Sequence, residues 1–153
     1  MSSEPQVAGK ESVIVIDAEG SVLGRLATYV ARMLKEGYKV YVVNVEKAVI
    51  SGDKNRVIEG YKVWLKIKTL RNPERSPKRP RNPIAIFKYA VRGMLPKDFT
   101  KGRARLKNLK VYVGIPKELE GRDMVRLVSA SSSKLKGEFI TVAEVAKALG
   151  WSP

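Results

Sequence analysis

Two runs of β-branched residues, separated by one helical segment, constrain the fold of this chain more than any other feature of its sequence. Val13–Asp17 and Val40–Val45 show no apolar and polar alternation, which predicts strands buried on both faces. Between them, after a candidate N-cap at Ser21 and before a glycine stop at Gly37, apolar residues recur at helical spacing: Leu23, Leu26, Ala27, Val30, Met33 and Leu34. A strand, a helix and a strand at this spacing predict a βαβ unit in a parallel sheet, with a right-handed crossover.

Two further helices are predicted in the middle of the chain. Apolar residues recur at helical spacing from Val57 to Leu65. Asn82 followed by Pro83 is typical of an N-cap and a first helical position, which predicts a helix over Ile84–Val91 that ends near Gly93.

The last third of the sequence alternates between short elements. A short basic helix is predicted over Lys101–Leu109 and a strand over Lys110–Val113. Thr141–Glu144 has the pattern of a capping box, which predicts a helix over residues 142–149 with a glycine stop at Gly150. Its apolar face is expected to consist of Val142, Val145, Ala146 and Leu149.

Length and composition predict one globular domain. A chain of 153 residues with 44% hydrophobic residues can bury about 70% of its unfolded surface. We therefore treat residues 1–153 as a single domain. Within it we expect a polar N-terminal tail over 1–12, a basic extended loop over 70–83 and a C-terminal extension over 117–153 that ends in a helix.

The positive charge of the chain is concentrated in its middle. Residues 62–110 contain 16 lysines and arginines but only two acids, Glu74 and Asp98, which leaves a local net charge of +14 out of +15 for the whole chain. A localised positive block predicts a polyanionic partner, and nucleic acid is the partner that this charge favours.

Several functional classes are disfavoured by the residues that the sequence lacks. Without histidine, the chain has neither the commonest general base nor the commonest metal ligand. Without cysteine, it has no disulfide, no thiolate nucleophile and no zinc site of the usual kind. No apolar run approaches the length of a membrane span, so we expect no membrane partner. From the absence of histidine and cysteine we expect no metal, and we expect no cofactor either.

A proline-rich stretch is the first candidate for contact with nucleic acid. Residues 71–83 contain four prolines, which disfavour a helix or a central strand and predict an extended loop. An extended cationic segment gains stability when it lies between phosphates and becomes ordered on binding. The predicted contact residues in or beside this stretch are Lys68, Arg71, Arg75, Lys78, Arg79 and Arg81.

A second basic constellation follows the predicted helix over Ile84–Val91. Glycines at 93 and 102 remove side chains where the backbone could approach a phosphate or where a turn must form. The alternative is a helical core with an ordinary basic exterior, and composition alone does not separate the two. The predicted contact residues here are Arg92, Gly93, Lys97, Lys101, Arg103 and Arg105.

The turn between the first strand and the first helix allows three interpretations. The first is a site for a soluble nucleotide cofactor. The dinucleotide fingerprint requires three glycines at set offsets, however, and this turn has only Gly20 and Gly24. The plainest interpretation is a tight turn in which Gly24 lets the helix approach the sheet. The third is that Gly24 and Arg25 hold an RNA phosphate at the start of the helix.

Four acids near the ends of the first two strands, Asp17, Glu19, Glu46 and Asp53, could bind a metal or act as acid and base. No nucleophilic or basic partner motif accompanies them. We therefore favour the interpretation that they are turn residues or partners of backbone and arginine groups.

Taken together, several stretches resemble the universal large-subunit ribosomal protein thirteen family. They occur in the order of that family and cover about residues 13–116. The most specific is Arg-Gly-Met-Leu-Pro-Lys at residues 92–97. The others are residues 16–18, 23–27, 43–47, 51–54, 102–103 and 109–116, while the tail over 139–151 is similar to the archaeal branch.

The resemblance implies a three-layer α/β/α fold with a mostly parallel four-stranded sheet, plus a basic proline-rich extension. It implies a structural, non-enzymatic role in the large ribosomal subunit, in the cytoplasm, with an early part in subunit assembly. The partners that it implies are large-subunit rRNA and neighbouring ribosomal proteins, with the chain monomeric and without a small-molecule substrate. Through the matching stretches it adds Lys47 and Lys54 to the candidate rRNA contacts.

Two other functions remain as alternatives at this point. The strand, glycine turn and helix with nearby acids suit a nucleic-acid-processing enzyme of nucleotide-binding fold. The basic block equally suits a free regulator that binds DNA or RNA.

Overall fold

The computed structural model describes residues 13–65, 81–95, 105–127, 130–135 and 137–152. Within these ranges, no helix has both the length and the apolar character needed to cross a membrane.

The predicted βαβ unit is confirmed. Strand β1 (Val13–Asp17) pairs in parallel with β2 (Lys39–Val43), and helix α1 (Leu23–Lys35) connects them. All six residues of the predicted apolar stripe are buried, and the helix is followed by Gly37 at a φ of +95°. Glycine is the residue that most readily adopts this left-handed conformation after a helix.

The start of α1 differs from the prediction at Ser21. The N-cap is Val22, which provides no side-chain hydrogen bond to the helix. Ser21 is buried, and its carbonyl accepts a hydrogen bond from the Val49 amide at 2.8 Å. Ser21 lies one residue before the N-cap, and its backbone pairs with neighbouring segments instead of capping the helix.

The second strand is shorter than predicted. It ends at Val43 because Asn44 has a φ of 56° and begins a 3-10 turn over Val45–Lys47. The chain then forms a short strand, β3 (Val49–Ser51), and helix α2 (Lys54–Leu65).

Helix α3 (Pro83–Arg92) begins and ends as its sequence predicts. The Asn82 side chain accepts a hydrogen bond from the Ala85 amide at 2.7 Å, Pro83 takes the first helical position, and Gly93 is the C-cap. Of the predicted basic loop over 70–83, only residues 81–83 belong to the described part of the chain.

The strand after α3 begins earlier than predicted. Strand β4 (Leu109–Val111) pairs in parallel with β2, which gives the sheet order β1-β2-β4. The predicted basic helix therefore does not extend to Leu109, since the apolar side chain there faces the core as part of the sheet. Residues 101–104 of that predicted helix lie outside the described ranges.

Topology explains how the two faces of the sheet are covered. The connections from β1 to β2 and from β2 to β4 step in the same direction, so right-handed crossovers place α1 and α3 on one face. These helices pack against each other there, over Ile16, Val42 and Val111. The return connection crosses the opposite face, where Leu119 packs with Val15 and Val43.

That return connection reaches the outer edge of β1. Val125 bridges in parallel to Ile16, with its amide donating to Val15 O at 2.8 Å and its carbonyl accepting from Asp17 N at 2.9 Å. An α/β fold with a mostly parallel sheet is thus confirmed.

The C-terminal segment completes the main core. Strand β5 (Phe139–Thr141) pairs antiparallel with β3, and helix α4 (Val142–Ala148) follows it directly. Thr141 caps α4 by accepting from the Glu144 amide at 3.2 Å, as the capping-box pattern predicts. All four residues of the predicted apolar face of this helix are buried, although Leu149 itself follows the last helical residue.

Candidate nucleic-acid interface

Helices α1 and α3 bring two of the predicted contact groups onto one surface. Gly24, Arg25 and Thr28 are exposed on α1, and Arg92, Gly93 and Met94 are exposed at the end of α3. The Thr28 hydroxyl donates to the Gly24 carbonyl at 2.9 Å, and its oxygen lies 3.3 Å from the Met94 sulfur. We call these six residues the α1–α3 surface.

Gly24 does not serve the packing that its sequence position suggests. A Cβ atom built on it meets no described residue within 4 Å, and the strands of the sheet are all among those residues, so Gly24 is not a point of close approach between helix and sheet. That interpretation is wrong, because the glycine points away from the sheet while Leu23 and Leu26 supply the packing. The tight turn itself is formed by Gly20, at a φ of +72°.

Arg25 points to solvent, as its place outside the apolar stripe predicts. One further basic residue of α1, Arg32, was missed by the sequence reasoning. It is exposed two turns after Arg25, and its guanidinium carbon lies 5.3 Å from the centre of the Tyr29 ring. Marking the exposed side of the helix, rather than its apolar stripe, would have identified it.

Lys47 lies close to the start of α1. Its carbonyl accepts a hydrogen bond from the Gly20 amide at 3.1 Å, and its side chain is exposed. Lys54 is placed differently, at the start of α2. Its ammonium group lies 3.4 Å from a carboxylate oxygen of Glu144 in α4.

Arg81 is exposed at the opposite end of α3 from Arg92. A helix of 10 residues separates the two arginines by about 15 Å. Arg81 therefore lies apart from the α1–α3 surface.

Arg105 has an intramolecular role. Its Nη1 donates to the carbonyl of Leu34 at 3.2 Å and also to the carbonyl of Lys35. These are among the last carbonyls of α1, where the negative end of the helix dipole attracts a cation. The Leu34 carbonyl also accepts a hydrogen bond from the Gly37 amide at 3.1 Å. A guanidinium has further N–H groups, so contact between Arg105 and RNA stays a prediction.

The remaining predicted contact residues lie outside the described ranges. They are Lys68, Arg71, Arg75, Lys78, Arg79, Lys97, Lys101 and Arg103.

The four acids near the strand ends have structural partners. Asp17 accepts from Arg126 at 2.8 Å, from the Asn44 amide group at 3.1 Å and from the Glu19 backbone amide at 3.0 Å. Burial alone would raise the pKa of Asp17, but these hydrogen bonds and the charge of Arg126 together hold that pKa below its usual value.

The other three acids also have partners, and for Glu19 the partner is Arg126, whose Nη2 lies 3.8 Å from its carboxylate. Glu46 accepts from the Gly114 amide at 2.9 Å, and Asp53 accepts from the Arg56 amide at 3.2 Å at the start of α2. The interpretation of these acids as turn residues and partners of backbone and arginine groups is therefore confirmed. Across the described residues, no three acidic side chains are grouped so that they could hold a metal ion.

Comparison with known proteins identifies the family. The family model described as ribosomal protein L13 matches residues 11–118. The chain belongs to the ribosomal protein L13 family. Two archaeal relatives are both named large ribosomal subunit protein uL13. The one from Saccharolobus solfataricus is 58% identical over 94% of this chain and 96% of its own length, and the one from Aeropyrum pernix is 47% identical over 94% and 93%.

Membership of this family decides between the functional classes left open by the sequence. The L13 family consists of structural ribosomal proteins, so the chain is not an enzyme. The match to the relative from Sulfolobus acidocaldarius, at 52% identity, covers 94% of this chain and so extends beyond residues 11–118 of the family model.

Proposed function

We propose that this chain is a structural constituent of the large ribosomal subunit that binds large-subunit rRNA. The observation that carries the proposal is its membership of the L13 family, together with relatives named as large-subunit proteins. The same membership supports a cytoplasmic location, in ribosomes, and a part in translation.

The charge distribution supports rRNA as the partner. Each phosphate that a lysine or arginine neutralises releases condensed counterions, so a local net charge of +14 over residues 62–110 favours binding whatever the base sequence. The α1–α3 surface adds Arg25 and Arg92, whose guanidinium groups can each bind a phosphate through two hydrogen bonds.

We also propose a role in assembly, an oligomeric state and a layer arrangement for the chain. The chain acts early in subunit assembly, is monomeric within the ribosome and contacts neighbouring ribosomal proteins. Its fold is a three-layer α/β/α arrangement with four strands, for which the bridge at Val125 and the cover of the second sheet face by Leu119 provide support. It is a single domain with a polar tail over 1–12, a basic loop over 70–83 and an extension over 117–153.

Sedimentation of a cell lysate through a sucrose gradient tests the proposal. We expect the chain to move with large subunits and whole ribosomes, and to be released into the light fractions only when the subunits are unfolded by removal of Mg²⁺. A chain found mainly in light fractions that contain no ribosomal subunits would instead favour a free nucleic-acid-binding regulator.

A further inference from the structure

Nothing in the described part of the chain requires a glycine at position 24. Gly24 lies in the first turn of α1 without a positive φ, and a Cβ atom there would meet none of the described residues within 4 Å. A glycine in a helix loses more conformational entropy on folding than an alanine does, so it is the less stable choice at this position. The packing of the described residues therefore does not explain the open space above Gly24.

Gly93 presents the same situation on the same surface. Its φ of −64° is open to any residue, and a Cβ atom would lie 3.6 Å from the nearest atom, the Ala90 carbonyl oxygen, which is ordinary contact. The contact between Thr28 and Met94 joins the two glycine-containing segments. Two exposed glycines that the described part of the fold does not require thus lie on adjoining helices.

An arginine stands directly beside each glycine in the chain. Arg25 follows Gly24 and Arg92 precedes Gly93, and both side chains are exposed. On each helix, an exposed stretch of bare backbone thus lies next to an exposed arginine in the chain. An uncharged protein partner would gain nothing from the guanidiniums, whereas a polyanion with closely spaced phosphates uses both features.

We infer that the α1–α3 surface receives the ribose–phosphate backbone of an RNA strand in direct contact with the helix backbone at Gly24 and Gly93. This inference rests on the proposed function and adds to it the mode of contact. The glycines provide the short distance, and the arginines bind the phosphates on either side. The surface accordingly recognises RNA by its shape and charge rather than by base edges.

The inference predicts opposite effects on stability and on binding from one substitution. Gly24→Ala should raise the melting temperature by roughly 1–4 °C, because alanine restricts the unfolded chain and suits the helix. It should weaken binding to rRNA by roughly 5- to 100-fold, because the added methyl group intrudes into a close contact. Gly93→Ala should weaken binding in the same way.

Gly60→Ala is the matched control. Gly60 is exposed in α2, and a Cβ atom built on it also meets nothing within 4 Å among the residues that the structure describes. It is followed by Tyr61 and preceded by Glu59 rather than by an arginine. We expect Gly60→Ala to raise the melting temperature as Gly24→Ala does, while rRNA affinity stays within about twofold of the parent.

The experiment first measures the affinity of the parent chain for overlapping fragments that together cover the large-subunit rRNA. The variants are then compared on the fragment that the parent chain binds most tightly. Affinity is followed at several salt concentrations, because the slope against salt counts the phosphates contacted. Gly24→Ala should weaken binding without changing that slope. Arg25→Gln should reduce the slope by about one phosphate.

Three outcomes would overturn the inference. If Gly24→Ala and Gly93→Ala both bind the fragment as the parent does, the backbone contact is absent, while the proposed function stands. If Gly60→Ala weakens binding equally, the effect does not belong to the α1–α3 surface. If the parent binds none of the fragments, the proposed function fails and this inference fails with it.

Discussion

Arg126 donates a hydrogen bond from Nη2 to the Oδ2 atom of Asp17 over 2.8 Å. The two residues are far apart in the chain, and their contact ties the return connection to the end of β1. Arg126 also lies 3.8 Å from Glu19, and Asn44 donates to the second oxygen of Asp17. One carboxylate thus joins the turn before α1, the end of β2 and the segment after Val125.

This contact predicts how stability depends on pH. Because the pKa of Asp17 is lowered on folding from about 3.8, the carboxylate stabilises the fold above about pH 4. That contribution is lost as the pH falls through the lower pKa of the folded state. Arg126→Gln should therefore lower the melting temperature at neutral pH, and its difference from the parent should shrink below about pH 3.8.

Thermal melting from about pH 2.5 to about pH 7 checks this prediction. Arg122→Gln is the control, since Arg122 is exposed on the same connection and its replacement removes the same charge. A constant difference between Arg126→Gln and the parent at every pH would contradict the assigned role of Asp17.

Arg105→Gln should destabilise the protein by about 1–3 kcal/mol. Its guanidinium donates to the carbonyls of Leu34 and Lys35, and removing it leaves these carbonyls without that charged donor. The measurement is the free energy of unfolding in denaturant, with Lys107→Gln as a control of equal charge at an exposed position. Equal stability of the two variants would show that the cap at the end of α1 contributes nothing.

Binding of the whole chain to rRNA should depend steeply on salt. If about six to ten phosphates are contacted, affinity should fall on the order of 10³–10⁵ between about 50 and about 200 mM salt. Filter binding or fluorescence anisotropy at stepwise salt concentrations provides the slope. A nearly flat response would count against phosphate contact by the basic block.

Arg25→Lys should fold like the parent yet bind rRNA less well. Arg25 is exposed and outside the buried stripe of α1, so the core does not depend on it. A lysine keeps the charge but cannot bind one phosphate through two hydrogen bonds in a plane. Melting by circular dichroism and rRNA affinity should be measured on the same preparation, and unchanged affinity would remove Arg25 from the interface.

Local signals explain which elements could be predicted from the sequence. Helices α1, α3 and α4 carry a continuous apolar stripe or a cap, such as Asn82 and Thr141, within a few residues of where they act. Strands β3 and β4 have no such signal for where they begin, because each strand is only three residues long and is determined by its pairing partner. Short strands are therefore where tertiary structure overrides local preference.

The candidate site was predictable in its residue types but not in its geometry. The sequence shows that Gly24 precedes Arg25 and that Arg92 precedes Gly93, but not that Thr28 and Met94 join them. Arg105 looked like another member of the basic block, and its contact with α1 connects residues about 70 positions apart. Charge can be read from a sequence, whereas the use of each charge depends on what the fold places beside it.

The proline-rich stretch should matter for assembly and little for folding. Replacing Arg75, Lys78, Arg79 and Arg81 together by glutamine removes four positive charges from the basic block. Arg81 is exposed, and the cap of α3 is provided by Asn82, so the described part of the fold does not depend on these charges. We expect the melting temperature to stay within about 2 °C of the parent, since solvated loop residues add little to a core.

Incorporation into large subunits should fall in the same variant, because each lost phosphate contact weakens binding to rRNA. The measurement compares tagged parent and variant chains in subunits isolated from cells that express both. The control replaces Lys35, Lys39, Arg122 and Lys147, four exposed cations outside the basic block, by glutamine and thus matches the change in charge. If the control loses incorporation as fully as the variant does, total charge rather than the proline-rich stretch directs assembly. If the variant instead melts far below the parent while its incorporation holds, the stretch is part of the folded structure rather than an rRNA contact.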